Sequence, residues 1–323
     1  MNRCLNIGLA ILMALAITAC GGKGGKKAEK PIRITTVACD DSFENIMCQE
    51  IDVFEYLYRD MSIIPYYVNE SAALDSLFSL KTRTIVVPRQ LTAKEVSYLK
   101  GKRRNVKQSK IAVDAIALIV NKENPTEILS MGEIAQILSG ELTRWDEIEP
   151  NKLGRIDVVF DHQGSSTVKY MRDSLLNGKA FGANVFAQKS NAEVFNAVKE
   201  RKNAIGIIGV SWISSDMRAP DMSREDRIEA LERNDTTQMD FDSGIKVLKV
   251  RRDDDIRAYK PYQAYIYDGS YPLFRSIYMI TTAANGSAGH SFYSFVTGFR
   301  GQKIIQMTGI LPATIQPRMV SLE

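Results

Sequence analysis

Pro31-Ile32-Arg33-Ile34-Thr35-Thr36-Val37, leading through Asp41-Ser42-Phe43-Glu44 into a segment carrying Ile46, Met47, Ile51, Phe54, Leu57 and Tyr58, is the stretch that decides the fold. Its first seven residues alternate and are rich in β-branched side chains, which predicts a strand. The apolar residues from Ile46 onward recur at threes and fours, the spacing of one buried helix face. Asp41 followed by Glu44 has the spacing of a capping box, so Ser42 and Phe43 are placed at the helix start. A strand turning straight into a helix is half of a parallel-sheet unit.

The same cycle recurs downstream. A strand is predicted near Ile63 to Val68, a helix near Ala72 to Leu80, and a short apolar strand over Thr84 to Val87. Val113 to Val120 reads as an apolar strand and Met131 to Leu138 as a helix ending near Ser139-Gly140. A strand over Arg155 to Phe160 runs into Gly164-Ser165-Ser166-Thr167 and a helix with Val168, Met171, Leu175 and Leu176 inward. A helix over Asn191 to Lys199 and a glycine-punctuated strand over Ala204 to Val210 follow. The alternation predicts an α/β chain with mixed, mostly parallel sheets flanked by helices. Residues 216 to 243 are charged and polar, with a helix around Arg224 to Arg233, and read as a solvated surface elaboration.

The N-terminal end has a different character. Arg3 precedes an apolar run from Leu5 to Ala19, too short to span a bilayer comfortably, which matches a secretory signal over residues 1–19. The run closes on Ile17-Thr18-Ala19-Cys20, and small residues before a cysteine resemble the lipobox of bacterial lipoproteins. Cys20 is therefore expected to be lipidated, with residues 20–30 as a flexible basic tether made by Gly21, Gly22, Lys23, Gly24, Gly25, Lys26, Lys27 and Lys30. The alternative is an ordinary signal peptide with an incidental cysteine. Either way the folded part is expected in the periplasm or cell envelope.

Composition narrows the function classes. A chain of 323 residues with 45% hydrophobic and 25% charged residues is ordinary for a globular protein, and has room for two lobes with separate cores. The formal charge of +4 gives no nucleic-acid footprint. Cys39 and Cys48 either pair in an oxidising compartment or stand as two separate buried thiols, because spacing alone fixes no distance. His162 and His290 have no cysteine or carboxylate at ligand spacing, so no metal or cofactor is expected. Ser165 lacks the nucleophile elbow, and His162 reads as a loop residue, so no enzyme is expected.

Two helix starts carry the candidate chemistry. An oxyanion held away from water needs donors, and free backbone N–H groups at a helix N-terminus supply them with a favourable dipole. Asp41-Ser42-Phe43 opens one such helix, and Gly164-Ser165-Ser166-Thr167 opens another with three hydroxyls. Each is also an ordinary strand-to-helix turn with a serine or threonine cap.

Val113-Asp114-Ala115-Ile116-Ala117-Leu118-Ile119-Val120-Asn121, Pro125, Leu129-Ser130, Ser139-Gly140 and Thr143-Arg144-Trp145 resemble the central block of the phosphate-binding proteins of phosphate ABC transporters. The similarity runs on through Gly164-Ser165-Ser166-Thr167, Ala204 to Gly209, Tyr271-Pro272-Leu273, Gly301 to Ile305 and Gly309-Ile310-Leu311-Pro312, in order over most of the chain. The resemblance implies the two-lobed periplasmic binding-protein fold of the type 2 solute-binding kind, hinged by two crossovers. Lobe I would comprise residues 31–113 plus 271–323, and lobe II residues 114–270. It implies a monomer that binds inorganic phosphate or a related oxyanion and delivers it to an ABC transporter permease, held at the membrane by its lipid anchor.

Residue by residue, the resemblance makes Ser42, Phe43, Ser71, Gly164, Ser165, Ser166 and Thr167 ligand residues. Two positions depart from it. Asp161 stands where the phosphate binders carry an Arg, and Arg89 lies within one place of an Asp that some of them carry. The expectation is that Arg89 and Asp161 face each other across the cleft with their ends exchanged, Arg89 donating to the anion and Asp161 accepting its proton. A transport-inactive sensing or interaction lipoprotein, and an enzyme of the same fold family, are the alternatives.

Overall fold

β1 (Arg33–Asp40), a 3₁₀ turn (Asp41–Phe43) and α1 (Glu44–Leu57) form the first cycle in the computed structural model, which describes residues 31–213 and 244–315. The expected signal, the Cys20 anchor, the whole 20–30 tether and the 224–233 helix lie outside the described residues. A second cycle adds β2 (Met61–Val68), α2 (Glu70–Phe78), β3 (Thr84–Val87) and α3 (Ala93–Gly101). Next come β4 (Lys107–Asn121), β5 (Ile128–Ser130), α4 (Met131–Ser139), β6 (Asp157–Phe160), α5 (Ser166–Leu175), β7 (Val185–Ala187), α6 (Asn191–Glu200) and β8 (Ala204–Gly209). After residue 243 follow β9 (Ile245–Val247), β10 (Lys249–Arg251), α7 (Gln263–Tyr267), β11 (Phe274–Thr281), α8 (Ala288–Thr297), α9 (Phe299–Met307) and β12 (Leu311–Pro312).

The main sheet has the order β2-β1-β3-β11-β4-β8-β6-β7. β1 pairs in parallel with β2 and β3, and β6 in parallel with β7 and β8. Between these parallel halves lies an antiparallel centre. β11 runs against both β3 and β4, and β4 runs against β8. Over Lys107 to Ala115 the partner of β4 is β11, and over Ile116 to Val120 it is β8, so one long strand joins the two halves of the sheet. The two-lobed α/β fold follows from that change of partner.

β4 is nearly twice the length expected from its apolar run, and it is buried from Ile111 to Asn121. A strand covered on both faces reads as a continuous hydrophobic run rather than an alternation. Close packing continues next to it. A Cβ on Gly206 of β8 would come within 2.8 Å of Ile119 and Val194 side chains, so only glycine lets α6 sit this near the sheet.

The helix start after β1 differs from the expected capping box. β1 continues to Asp40, and it is the Asp40 side chain that accepts from the Ser42 N–H, with Asp41 left to make other contacts. Cys39 is buried on β1 and Cys48 is exposed on α1; no disulfide joins them, so the open choice falls to separate cysteines, only one of them buried. Cys48 Sγ instead lies 3.1 Å from the Tyr67 hydroxyl.

Candidate functional site

Parallel strands present the start of the following helix at their carboxyl ends, where ligands of open α/β sheets are held. β1 delivers Asp40 to Phe43 there and β6 delivers Asp161 to Thr167, from opposite halves of the sheet. The two turns meet. The Ser166 hydroxyl donates to Asp40 Oδ1 at 2.8 Å and lies 3.1 Å from Ser42 Oγ, while Thr167 Oγ1 lies 3.5 Å from Ser42 Oγ. Ser42, Ser166 and Thr167 are each no more than 3% exposed. At the rim, Trp212 Nε1 donates to the Ser42 carbonyl at 3.0 Å.

A guanidinium is present, from a strand that the sequence reading did not assign. Arg275 on β11 is paired in register with Asp114 on β4. Directly opposed residues on antiparallel strands bring their side chains together, and Arg275 Nη2 and Nε both donate to Asp114 Oδ2, at 3.1 and 3.3 Å. Its third bond runs from Nη1 to the Ser166 hydroxyl at 2.8 Å, and its guanidinium lies 4.8 Å from the centroid of the Phe43 ring. The result is a buried chain, Asp114, Arg275, Ser166, Asp40, drawn from four distant segments. Phe43 acts as a cation-facing floor, the reason an aromatic suits that position.

Burial sets the electrostatics. Asp40 is fully buried, and loss of solvent pushes its carboxyl up to about 6; neighbouring Asp41 adds to the rise, while Arg275 and the bonds from Ser166 and Ser42 oppose it. Asp114 is also raised by burial, against the pull of Arg275. Asp161, 2% exposed, is raised by burial and held back by the Ser165 hydroxyl, which donates to Oδ1 at 2.6 Å.

The expected site residues fare unequally. Ser42, Phe43, Ser166 and Thr167 converge on one buried locus. Ser165 is buried beside them, but its hydroxyl donates to Asp161 and accepts from the Val168 N–H as the α5 cap, so it serves the helix. Gly164 lies in the turn, where an added Cβ would meet nothing closer than 3.7 Å; the turn does not demand glycine. Ser71 is exposed on α2, one place past the buried Glu70.

Arg89 is a correction. It does not face Asp161: its Nη atoms bind both Glu95 oxygens at 2.9 and 2.8 Å and its Nε binds Glu70 at 3.1 Å, so the guanidinium fork is filled by carboxylates of α2 and α3. The physical reason is proximity along the chain, since Glu95 is the capping-box residue of α3 and lies 6 residues after Arg89. Glu70 additionally accepts from Lys169 on α5 at 2.8 Å, and His162 Nε2 lies 2.7 Å from Asp41 Oδ2. These two contacts join the segments after β1 and β2 to those after β6, beside the buried locus. Among the described residues no cluster of His, Cys, Asp and Glu has metal-holding geometry, and no helix is long and apolar enough to cross a membrane.

Residues 25–299 match the model of a family described as a PBP superfamily domain. In sequence the chain is 20% identical over 288 residues to the phosphate-binding protein PstS of Pseudomonas aeruginosa, covering 84% of this chain and 80% of that one. It is 22% identical over 250 residues to the phosphate-binding protein PstS of Borreliella burgdorferi, covering 75% and 76%. Among solved structures it is similar to a Clostridium perfringens protein described as a phosphate ABC transporter substrate-binding protein and holding phosphate, with a TM-score of 0.67 at 22% identity over 87% of this chain and all of that one. An ABC-type phosphate transport receptor from Vibrio cholerae superposes with a TM-score of 0.63 at 17% identity, over 86% and 99%. At these identities the structural likeness establishes the fold.

Proposed function

The chain belongs to the PBP superfamily domain family, and from that premise we propose that it is an extracytoplasmic solute-binding protein for inorganic phosphate or a close oxyanion relative. The observation that carries the reading is the meeting of Arg275, Ser166, Thr167, Ser42 and the Phe43 ring at two helix starts from opposite lobes. Helix N-terminal N–H groups, hydroxyls and one buried guanidinium are the donor set a tetrahedral oxyanion requires. The names of the relatives point the same way. Function here is binding and hinge closure without bond breaking, with the loaded form handed to an ABC transporter permease.

The lobe boundary near 113 and 271 is supported by the change of partner along β4 and by the return of the chain through β11. Cys20 as the lipid anchor is supported by the lipobox-like run before it. The test of the function is isothermal titration of the delipidated protein with phosphate, arsenate, sulfate and molybdate. Reversible phosphate binding without turnover supports the reading, and heat from none of the four sinks it. A transport-inactive sensing or interaction lipoprotein is favoured by one observation: the Asp40 carboxylate already accepts the Ser42 N–H and the Ser166 hydroxyl. A protein of that kind would bind none of the anions at any pH.

A further inference from the structure

The charge balance of the buried locus is unusual for a place that receives an anion. Asp40 and Asp114 are fully buried and Asp161 nearly so, against the single guanidinium of Arg275, which Asp114 already engages through two bonds. Asp41 adds a carboxylate at the edge, where it meets His162. Bringing a further negative charge into such a site, away from water, is strongly unfavourable unless one carboxylate becomes neutral.

The geometry singles out which one. Neutralising Asp114 would break a buried ion pair with its in-register partner. Asp161 has its Oδ1 fixed by the Ser165 hydroxyl. Among the described residues Asp40 makes no salt bridge: Oδ1 takes both of its hydrogen bonds, from the Ser42 N–H and the Ser166 hydroxyl, while Oδ2 is buried with no partner among them. That oxygen can receive a proton with every existing bond kept. The other oxygen of the same carboxyl is held by Ser42 and Ser166, two of the residues assigned to the anion.

We propose, resting on the oxyanion reading above, that binding takes up one proton on Asp40 Oδ2 and that the neutral carboxyl then donates a hydrogen bond to the anion, which makes Asp40 both a ligand and the group that ties affinity to pH. The proton comes from solvent or arrives with the acid form of the anion; no covalent bond to the ligand forms. The groups that face Asp40 are consistent with this. Arg275 on β11 and the hydroxyl of Ser166 on α5 favour its charged form, as does the Ser42 N–H of its own turn; burial and the neighbouring Asp41 oppose. On β1 itself, Cys39 is a buried thiol held neutral well above its ordinary range. The outcome of that contest is a carboxyl pushed up to about 6, within reach of neutralisation by a nearby anion.

Inorganic phosphate is the probe, titrated calorimetrically into the wild type and Asp40→Asn between pH 5 and 8.5, in buffers of different ionisation enthalpy so that protons are counted. The protonation of phosphate itself is common to both proteins, so the difference between them isolates Asp40. At pH 8 the wild type is expected to take up close to one more proton per phosphate than Asp40→Asn and to bind up to about 100-fold more weakly, the factor set by two pH units above the carboxyl. The gap narrows toward pH 5. Equal proton counts and parallel pH profiles would overturn the proposal and leave the phosphate reading standing, as would weaker binding by Asp40→Asn at pH 8. Phosphate binding by neither protein at any pH overturns the phosphate reading itself. Should the variant fail to fold, the wild-type count at pH 8.5 decides alone, since binding that takes up no proton from solvent there excludes the step.

Discussion

Arg89 and Arg275 are both ion-paired, and only one of them builds the site. Arg89 leaves 35% of its side chain exposed and divides its fork between two carboxylates that lie close along the chain. Arg275 keeps 3% exposed, binds a carboxylate 161 residues away, covers Phe43 and reaches the opposite lobe through Ser166. What separates them is the sheet. Arg89 lies two residues past the end of β3, outside any ladder, and turns to the surface, whereas Arg275 is fixed by antiparallel register against Asp114 in the strand that changes partner from β11 to β8. An arginine near the right place in sequence is thus a weaker guide than one held by a ladder.

The comparison breaks most sharply at Arg275. Arg275→Ala leaves Asp114 buried without its counter-charge, an arrangement that costs about 3–5 kcal/mol. Urea denaturation should show that loss together with abolished phosphate binding. Arg275→Lys separates the two effects, because it keeps the charge and loses the fork. It should hold most of the stability while binding phosphate at least tenfold more weakly. Stability and binding both unchanged in Arg275→Ala would place the anion elsewhere.

Asp40 sharpens the same contrast through pH. Its carboxyl sits at about 6 in the folded chain against roughly 3.9 for an unfolded aspartate. The folded state therefore holds the proton more tightly. Stability falls as pH rises from about 4 to about 6 and stays reduced above that. Asp40→Asn removes the penalty, so it should raise stability by up to about 3 kcal/mol at pH 8 and change it little at pH 4. Urea midpoints at the two pH values check the sign; stabilisation that is equal at both would show that burial of the charge is not the cause.

A smaller effect is expected at Thr167. Among the described residues its hydroxyl has only the 3.5 Å contact to Ser42, unlike Ser165, whose hydroxyl is taken up by the α5 cap and Asp161. Thr167→Ala should weaken phosphate binding roughly tenfold, the loss of one hydrogen bond to a charged group. Measured by the same titration, an unaltered affinity in the folded variant would remove α5 from the site.

Local signals explain which parts were legible in the sequence. β3 matches its expected span and α4 its start because β3 is a short apolar run buried throughout and α4 carries a capping box and buries Ile134, Ile137 and Leu138 at helical spacing. The β6 to α5 passage was legible for the same reason, and with it Ser166 and Thr167. β11 was not. Its pattern Phe-Arg-Ser-Ile-Tyr-Met-Ile-Thr puts a charge at a buried position, where hydrophobic periodicity counts it as solvent-facing, and what buries Arg275 is a partner on β4 that no local window contains. α3 buries only Leu99, so it has almost no apolar face to detect; its one local sign is the Thr92 and Glu95 capping box. The cap at Asp40 was misplaced to Asp41 because two adjacent aspartates offer the same chemistry. Where β1 ends decides between them, and β1 runs three residues past the expected stop.

The smallest effect belongs to Arg89, and it is informative only in combination. Glu70 has 7% of its side chain exposed and two cations, Arg89 from its own lobe and Lys169 from α5. Removing Arg89 leaves Lys169 in place, so Arg89→Ala should lower stability by no more than about 1 kcal/mol, as for other partly exposed pairs, and leave phosphate affinity within about twofold. Lys169→Ala should behave alike for stability, since Arg89 remains. The double variant leaves a nearly buried carboxylate with neither, and its loss should exceed the sum of the single losses by more than the roughly 0.5 kcal/mol expected of independent sites. Urea denaturation of the four proteins measures that coupling. A large loss of phosphate affinity in Arg89→Ala alone would return this arginine to the site and erase the distinction drawn between it and Arg275.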